Sequence, residues 1–403
     1  MKNAPSGVEP IASSRRAGLG VLAGAALLLV LAGVLLPFRA QPKEGREPAS
    51  PPLHHVRDLA GREVALKPEI RRIVLVQGRD IYALAALLGD DLPNRLVAIG
   101  PDLRTADHDA YEAIIARYPS IAKLPEIGDV FKDALSAEQL IELQPDLVVL
   151  DAFMLERGCK CLAKLEQAGL PLVYHDASND PISGPQRSLL LLGSLLGPQA
   201  EARAREMAGI ADARIALITS RLASYPGPFP SVYLETGGNP HRPGNTFGTT
   251  KTPPRYTCWG EVLHRLRVQN IADGVIDWGP LHPETILRAD PEVVIVTGQS
   301  WKSPGQLHLG YGADAAQGMD VLAEFRTRPG WASLRAMQSG RIYAVFHTFT
   351  IHFFGYVGIE AIAKDCYPGL FADLNPEADL REIHNRYLPY PLTGAWMLPT
   401  ETP

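Results

Sequence analysis

The chain of 403 residues carries 39 basic and 44 acidic side chains, a formal net charge of −5, and 46% apolar residues. This balance excludes a disordered chain and a polybasic nucleic-acid-binding protein, and the length suffices for two or three domains. Four cysteines are too few for a disulfide-built scaffold and lack the paired CxxC spacing of a zinc site. Only one apolar run is long enough to span a bilayer, which excludes a multi-pass membrane protein.

That apolar run lies near the N-terminus. Residues 17–36 carry no charge and directly follow Arg15 and Arg16. The length matches a hydrocarbon core, and the flanking arginines predict that the N-terminus stays in the cytoplasm while the remainder is exported. We interpret residues 1–40 as an uncleaved membrane anchor, with a long signal peptide as the alternative. Leu31-Ala32-Gly33 resembles a lipoprotein box, but Val34 stands where a lipidated cysteine is expected.

The Pro-rich, charged stretch 41–54 is typical of a linker, and an alternation of strands and helices follows it. Apolar, β-rich runs predict strands at 62–66, 73–76, 96–99, 147–150 and 172–174. Helical periodicity predicts helices at 80–88, 107–117, 136–143 and 161–167. Continuous apolar strands that alternate with helices indicate a parallel sheet covered on both faces. Residues 55–185 are therefore predicted to form an N-terminal β/α lobe.

A long helical stretch follows at 186–225, where Gly197-Pro198 is the place at which a helix can kink or break. The alternation then restarts, with strands predicted at 231–234, 293–296 and 342–345 and helices at 261–267 and 351–365. Residues 226–403 are predicted to form a second β/α lobe. The predicted fold is α/β, with two Rossmann-like lobes joined by one long α-helix.

An internal repeat links the two predicted lobes. Glu138 is followed by Pro145, an acidic residue and a short apolar strand, and Glu284 is followed by Pro291 in the same way. Each glutamate lies in the first turn of a helix, one preceded by Ser136 as an N-cap and one by Pro283 at the first helical position. Such a glutamate can simply complement the helix dipole. Because the two occupy equivalent positions on two lobes, they are also suited to bind a symmetric partner that carries arginines.

At this point the sequence resembles a known family, the class III solute-binding proteins of the iron-siderophore and cobalamin type. The resemblance covers roughly residues 56–397. It is carried by the two Glu-to-Pro repeats and by the short motifs Asp58-Leu-Ala-Gly61-Arg62-Glu-Val64, Arg72-Ile73-Val74, Asn270-Ile271-Ala272-Asp273, Arg328-Pro329-Gly330-Trp331 and Ser339-Gly340-Arg341-Ile342-Tyr343-Ala344-Val345.

The resemblance implies the external receptor of an ABC importer, with a ligand cleft between the lobes and neither catalysis nor a cofactor. It implies that Glu138 and Glu284 bind arginines of a dimeric permease, which works with an ATPase. The expected ligand is a metal chelate such as an iron-siderophore, haem or cobalamin. The expected location is the extracytoplasmic face of the inner membrane, with residues 17–36 as the tether and no nucleic-acid partner.

Open α/β sheets bind ligands beyond the carboxyl ends of their strands, so the loops after the strands supply the candidate ligand-binding residues. Arginines and aromatic rings in these loops suit an anionic or aromatic chelate, although each ring can equally be a packing residue. The candidates are Arg79, Asp129, Phe131 and Phe153 in the first lobe, and His241, Arg242, Asn245, Phe247, Tyr256, Trp259, Trp301, His347 and His352 in the second.

Other functions remain open on the sequence alone. A bare-metal receptor would use His175, His241, His347, His352 and Asp151, although no H-x-H spacing or His-rich loop is present. Asn245-Thr246-Phe247-Gly248 resembles a loop of receptors for metal chelates or oxyanions, and a ligand sensor that takes no part in transport would use the same fold. An enzyme is disfavoured because the sequence contains no G-x-S-x-G, H-E-x-x-H or P-loop motif. The pairing of the four cysteines, Cys159, Cys161, Cys258 and Cys366, stays open, with bridges inside a lobe plausible in an oxidising compartment.

Overall fold

The computed structural model of the chain describes residues 53–301 and 305–399. The predicted anchor at 17–36 and most of the predicted linker lie outside the described residues. Within the described residues, no helix combines the length and the apolar character needed to cross a membrane.

The strands and helices alternate along most of the chain. The strands are β1 (His54–Arg57), β2 (Glu63–Leu66), β3 (Ile73–Leu75), β4 (Leu96–Ile99), β5 (Leu147–Asp151), β6 (Leu172–His175), β7 (Ser231–Thr236), β8 (Asn245–Phe247), β9 (Gln269–Asn270), β10 (Trp278–Pro280), β11 (Val293–Gly298), β12 (Ile342–Phe346) and β13 (Met397–Leu398). The helices are α1 (Ile81–Leu88), α2 (Leu92–Arg95), α3 (Asp102–Ala106), α4 (His108–Arg117), α5 (Ala137–Glu142), α6 (Phe153–Glu156), α7 (Cys161–Gln167), α8 (Gly184–Leu196), α9 (Pro198–Ala223), α10 (Trp259–Arg265), α11 (Pro283–Ala289), α12 (Ala315–Glu324), α13 (Arg335–Gln338), α14 (Tyr356–Cys366) and α15 (Pro376–Tyr387).

The first sheet has four parallel strands in the order β4-β3-β5-β6, and we call residues 54–175, which contain it, the first lobe. Val148 of β5 lies in register with Val74 of β3 and with Leu172 of β6. Every residue of β3, β5 and β6 is buried, as expected when helices cover both faces of a parallel sheet. The prediction of a parallel sheet is confirmed here.

The second sheet has seven strands, and we call residues 231–398, which contain it, the second lobe. The central strands β7, β11 and β12 are parallel, whereas β8, β10 and β13 pair antiparallel at the edges. The three central strands match the sequence prediction. The edge strands have only two or three residues each and no apolar run, so they gave no periodic signal.

The prediction of one long helix at 186–225 is wrong, because two helices occupy this stretch. Helix α8 ends at Leu196, and Gly197, at φ 109°, precedes Pro198 at the first position of α9. The two helices pack closely, since a Cβ on Gly193 would lie 2.5 Å from the Cβ of Ala204. Helix α9 alone, 26 residues long, connects the lobes and packs on both α1 and α14.

One hydrophobic core continues through both lobes. Tyr82 of α1 is fully buried against three rings of the second lobe. Its ring centroid lies 4.3 Å from that of His352, 5.7 Å from that of Phe354 and 6.3 Å from that of Tyr311. Buried residues of both lobes and of α8 and α9 belong to this one cluster. Such packing restricts relative motion of the lobes to small displacements.

Candidate functional site

A cavity of about 430 Å³ opens at the carboxyl edge of the second sheet. The loop after β7, the strand β8 and the loops after β11 and β12 surround it. Five predicted ligand-binding residues line it together, namely Arg242, Asn245, Phe247, Trp301 and His347. Trp278 lines the same cavity and is 61% exposed; the sequence reasoning did not single it out. The cavity thus combines one guanidinium, three side-chain amides and several aromatic rings.

His347 is held at the cavity wall by both its side chain and its backbone. Its Nδ1 lies 2.9 Å from Thr297 Oγ1, and its carbonyl oxygen accepts a hydrogen bond from Trp259 Nε1 at 3.0 Å. The Trp301 ring lies 5.2 Å away between centroids. Burial, with a contribution from the charge of Arg79, lowers the pKa of His347 to about 4. The imidazole is therefore neutral at physiological pH.

The loop between β7 and β8 is held in place by Arg328, which lies outside that loop. Arg328 donates hydrogen bonds to the carbonyl oxygens of Asn239 at 2.6 Å, Pro240 at 2.8 Å and Arg242 at 2.9 Å. Because these three carbonyls share one planar donor group, the loop that carries Arg242 has a fixed backbone path. The sequence analysis used Arg328 only as part of a family motif and missed this role.

The charge of Arg328 is balanced by Glu235 at the end of β7. Both guanidinium Nη atoms lie 2.7 Å from the carboxylate oxygens of Glu235, which is fully buried. The guanidinium also lies 4.4 Å from the ring centroid of Phe325 and 4.5 Å from that of Trp331. The bidentate pair thus sits in a desolvated pocket directly behind the cavity loop.

On the first lobe, Arg79 follows β3 at the edge that faces the second lobe. Its Nε lies 2.9 Å from Asp102 Oδ2, and both side chains are largely buried. Burial lowers the pKa of Arg79, but the nearby carboxylates of Asp102, Asp107 and Asp80 together raise it by more, so the guanidinium stays charged. The charge of Arg79 contributes to lowering the pKa of both His347 and His352, which lie in the second lobe.

His175 is the last residue of β6, at the same edge, and lies between two aspartates. Its Nε2 is 3.0 Å from Asp80 Oδ2, and its Nδ1 is 3.8 Å from Asp151 Oδ2. Burial opposes the charge, but the two carboxylates raise the pKa of His175 to about 9. Among the residues that the structure describes, no group of three or more His, Cys, Asp or Glu side chains could hold a metal ion.

Another group of predicted residues forms part of the first-lobe surface near β5. The guanidinium of Arg157 lies 5.7 Å from the ring centroid of Phe131 and 5.8 Å from that of Phe153. Asp129 accepts a hydrogen bond from the amide of Phe131 at 2.9 Å and pairs with Lys132 at 3.0 Å. This surface presents two partly exposed rings and one exposed cation.

Ion pairs and hydrogen bonds join the two lobes across their boundary. Glu156 of α6 accepts a hydrogen bond from Arg255 of the second lobe at 2.6 Å. His308 Nε2 lies 2.5 Å from Asp109 Oδ2. The amide of Asp109 also donates to the Ser300 hydroxyl at 3.4 Å. The loops on which the predicted residues lie therefore come within contact distance of the opposite lobe.

Four of the predicted residues of the second lobe lie away from the cavity. Trp259 is completely buried, and His352 is 3% exposed and packs on Tyr82. The ring of Tyr256 stacks on that of His264 with centroids 4.2 Å apart, and the exposed His241 pairs with Glu324 at 3.1 Å. Their surroundings give these side chains packing or surface contacts, and no ligand role for them has support from the geometry.

The two repeat glutamates both lie exposed in the first turn of a short helix. Ser136 caps α5 through the amide of Gln139 at 3.2 Å, as predicted. The Gln139 side chain donates a hydrogen bond to the carbonyl of Glu126 at 3.0 Å. A backbone amide and the Ser136 hydroxyl lower the pKa of Glu138, so this carboxylate stays ionised. At Glu284, Pro283 occupies the first helical position, as predicted.

All four cysteines are free thiols, so neither of the disulfide pairings within a lobe is formed.

Comparison with known proteins gives the family relationship. The profile of the family described as periplasmic binding protein matches residues 104–345, which is more than half of the chain. The chain is 22% identical over 321 residues to an uncharacterized ABC transporter substrate-binding lipoprotein, YvrC, of Bacillus subtilis, covering 78% of this chain and 86% of that protein.

Solved structures agree with this relationship. The TroA-like periplasmic binding protein FepB from Veillonella parvula is 28% identical, with a TM-score of 0.79 over 86% of this chain and 99% of that chain. A periplasmic haem-binding protein from Pseudomonas aeruginosa is 20% identical, with a TM-score of 0.52 over 83% of this chain and 99% of that chain. The second likeness concerns the fold alone.

Proposed function

The chain belongs to the periplasmic binding protein family, and on that premise we propose that it is the substrate-binding component of an ABC importer that captures a metal chelate. The cavity lined by Arg242, Asn245, Phe247, Trp301 and His347 carries this proposal. A guanidinium forms charge-assisted hydrogen bonds with the carboxylates or phenolates of a chelate, and aromatic rings stack on its planar groups. The ligand class is an iron-siderophore, haem or cobalamin.

The first-lobe surface with Phe131, Phe153 and Arg157 supplies the opposite wall of the binding cleft. A ligand that contacts both walls stabilises the arrangement in which the lobes are close, in proportion to its differential affinity for that arrangement. The continuous core shared by the two lobes keeps this closure small. No chemical change of the ligand is required for capture and delivery.

Glu138 and Glu284 are proposed to bind arginines of a permease dimer. Their exposure and their equivalent positions in the two repeats support this role. The protein would act at the extracytoplasmic face of the membrane, tethered by residues 17–36. YvrC, by its name a substrate-binding lipoprotein, supports a membrane-attached location.

Binding is tested on the purified full-length protein with a panel of ferric siderophores, haem, cobalamin, molybdate and bare divalent metal ions. Tryptophan fluorescence quenching and thermal shift report binding, and a ligand at a hundredfold excess over Kd stabilises the protein by about 2.7 kcal/mol. Arg242→Gln and Trp301→Leu are expected to weaken the binding of the active ligand at least about tenfold, equivalent to about 1.4 kcal/mol. Arg288→Gln, an exposed arginine on α11, is the matched control. Binding only of molybdate would favour an oxyanion receptor, and equal affinity in all variants would refute the cavity as the site.

Docking is tested separately by uptake in cells whose native copy is deleted. The double variant Glu138→Gln/Glu284→Gln is expected to abolish uptake and to keep the affinity for the ligand. Glu142→Gln/Glu377→Gln changes two other exposed glutamates and serves as the control. Normal uptake in the first double variant would exclude the docking role, and normal binding without any uptake by the wild type would favour a sensor.

A further inference from the structure

One residue of the first lobe, Asp109 in the first turn of α4, contacts the second lobe twice. Its backbone amide donates a hydrogen bond to the hydroxyl of Ser300 at 3.4 Å, which is possible because the first N–H groups of a helix have no partner within it. Its carboxylate oxygen Oδ2 lies 2.5 Å from Nε2 of His308. The Ser300 hydroxyl also donates to the carboxylate of the buried Asp107 at 3.5 Å. We call Asp109, Ser300 and His308 the clasp.

The two clasp residues of the second lobe are close in sequence to residues that line the cavity. Ser300 directly precedes Trp301, and His308 follows Gln306 by two positions. The side chain of Gln306 donates a hydrogen bond to the carbonyl of Gly237, another residue of the cavity wall, at 2.9 Å. The contacts with the first lobe and the contacts with the cavity are therefore made by the same two segments, 299–301 and 305–309.

Backbone hydrogen bonds join these two segments to each other and to the loop after β7. The amide of Gln299 donates to the carbonyl of Leu307 at 3.2 Å, and the amide of Leu307 donates to the carbonyl of Gly238 at 2.7 Å. The packing is tight, since a Cβ on Gly298 would lie 2.5 Å from the carbonyl oxygen of Leu307. A displacement of His308 is therefore transmitted to the neighbouring backbone, because close packing leaves no space to absorb it.

We propose that Asp109 is a positioning residue of the cavity, because the clasp sets where the ring of Trp301 lies. Since Asp109 belongs to the first lobe and Trp301 to the second, the shape of the cavity depends on how close the two lobes are. A ligand that contacts Trp301 in this position favours formation of the clasp, and formation of the clasp raises the affinity for that ligand by the same factor. This consequence for the ligand rests on the function proposed above, whereas the positioning of Trp301 does not.

The clasp is suited to positioning more than to stabilising the fold. The side chains of His308 and Asp109 are 43% and 29% exposed, and ion pairs between such side chains add little to stability. A carboxylate in the first turn of α4 can also complement the helix dipole. That role involves neither His308 nor Trp301, so a measurement on Trp301 itself separates the two roles.

The test uses the full-length protein labelled with 5-fluorotryptophan and measured by ¹⁹F NMR. The chain has five tryptophans, and Trp301 is identified as the resonance that Trp301→Phe removes. Asp109→Asn and His308→Leu are each expected to move this resonance by more than its linewidth and to leave that of the buried Trp331 in place. Glu112→Gln removes another carboxylate of α4 and is the control, with an unmoved Trp301 resonance.

The swapped double variant Asp109→His/His308→Asp restores a pair of carboxylate and imidazole in the opposite direction. Its Trp301 resonance is expected to return to within a linewidth of the wild type, whereas a helix-dipole role would leave it like that of Asp109→His alone. Each variant is expected to keep its Tm within about 2 °C of the wild type. His308→Leu leaves α4 unaltered, so it decides the question even where an Asp109 variant does not fold.

An unmoved Trp301 resonance in Asp109→Asn or in His308→Leu would overturn the proposal, and so would a swapped variant that shows no return. The NMR measurement needs no ligand. Its failure therefore leaves the proposed binding function untouched, and a failure of the binding panel leaves the positioning by Asp109 untouched.

Discussion

Replacing Arg328 by methionine is expected to destabilise the protein strongly. The substitution leaves the carboxylate of Glu235 fully buried without its bidentate partner. Removing one partner of a buried ion pair costs about 3–5 kcal/mol, because the remaining charge is uncompensated. For a folded unit of about 350 residues the unfolding entropy is about 0.7 kcal/mol/K, so Tm is expected to fall by about 4–7 °C.

The measurement is thermal and urea unfolding of the wild type, Arg328→Met, Glu235→Gln and the double variant. The double variant is expected to be more stable than the sum of the single losses, since neither charge then remains buried alone. Arg326→Met removes an exposed arginine two residues away and is the control. If Arg328→Met lowers Tm no more than Arg326→Met does, Arg328 does not hold the cavity loop through Glu235.

Three further outcomes are expected. The two carboxylates raise the pKa of His175 from 6.5 to about 9, so its stabilisation is fully present below pH 6.5 and is lost as the pH rises to 9. The difference in unfolding free energy between the wild type and His175→Gln should therefore shrink over this interval, and a constant difference would contradict the ion pairing of His175. Gly209→Ala, on the exposed face of α9, should raise the unfolding free energy by about 0.5–1 kcal/mol. Gly193→Ala should lower the unfolding free energy, because its Cβ would lie 2.5 Å from that of Ala204. Equal effects of the two substitutions in urea unfolding would contradict the packing of α8 on α9. Arg255→Gln should change the unfolding free energy by less than about 1 kcal/mol at low salt, because Arg255 and its partner Glu156 are both about half exposed. A larger loss of unfolding free energy would mean that this ion pair is part of the core.

The parts of the fold that were predictable from the sequence are those with a clear hydrophobic period. Strand β5 and helix α7 match their predictions within one residue, because each has a continuous or amphipathic apolar pattern bounded by turn residues. The break at Gly197 has an evident sequence signal, yet sequence alone does not say whether the chain kinks or turns back. Close packing of Gly193 on Ala204 decides this, and that contact is tertiary.

The site shows the same division. The rule that ligands lie beyond the carboxyl ends of strands selected Arg242, Asn245 and Trp301, which line one cavity in the structure. It cannot separate a loop aromatic that faces solvent from one that enters the core, and so it also selected Trp259. The role of Arg328 depends on carbonyl groups more than 80 residues earlier in the chain, and no local pattern reveals such a contact.

The aromatic packing of Tyr82 against rings of the opposite lobe has a consequence for recombination between relatives. A chimera that takes one half of the chain from another protein inherits Tyr82 without the matching Tyr311, His352 and Phe354, or the reverse. Its two halves would meet across a mismatched apolar seam. Ligand specificity in this fold is therefore more easily exchanged by transplanting the loops at the top of the sheets than by exchanging whole lobes.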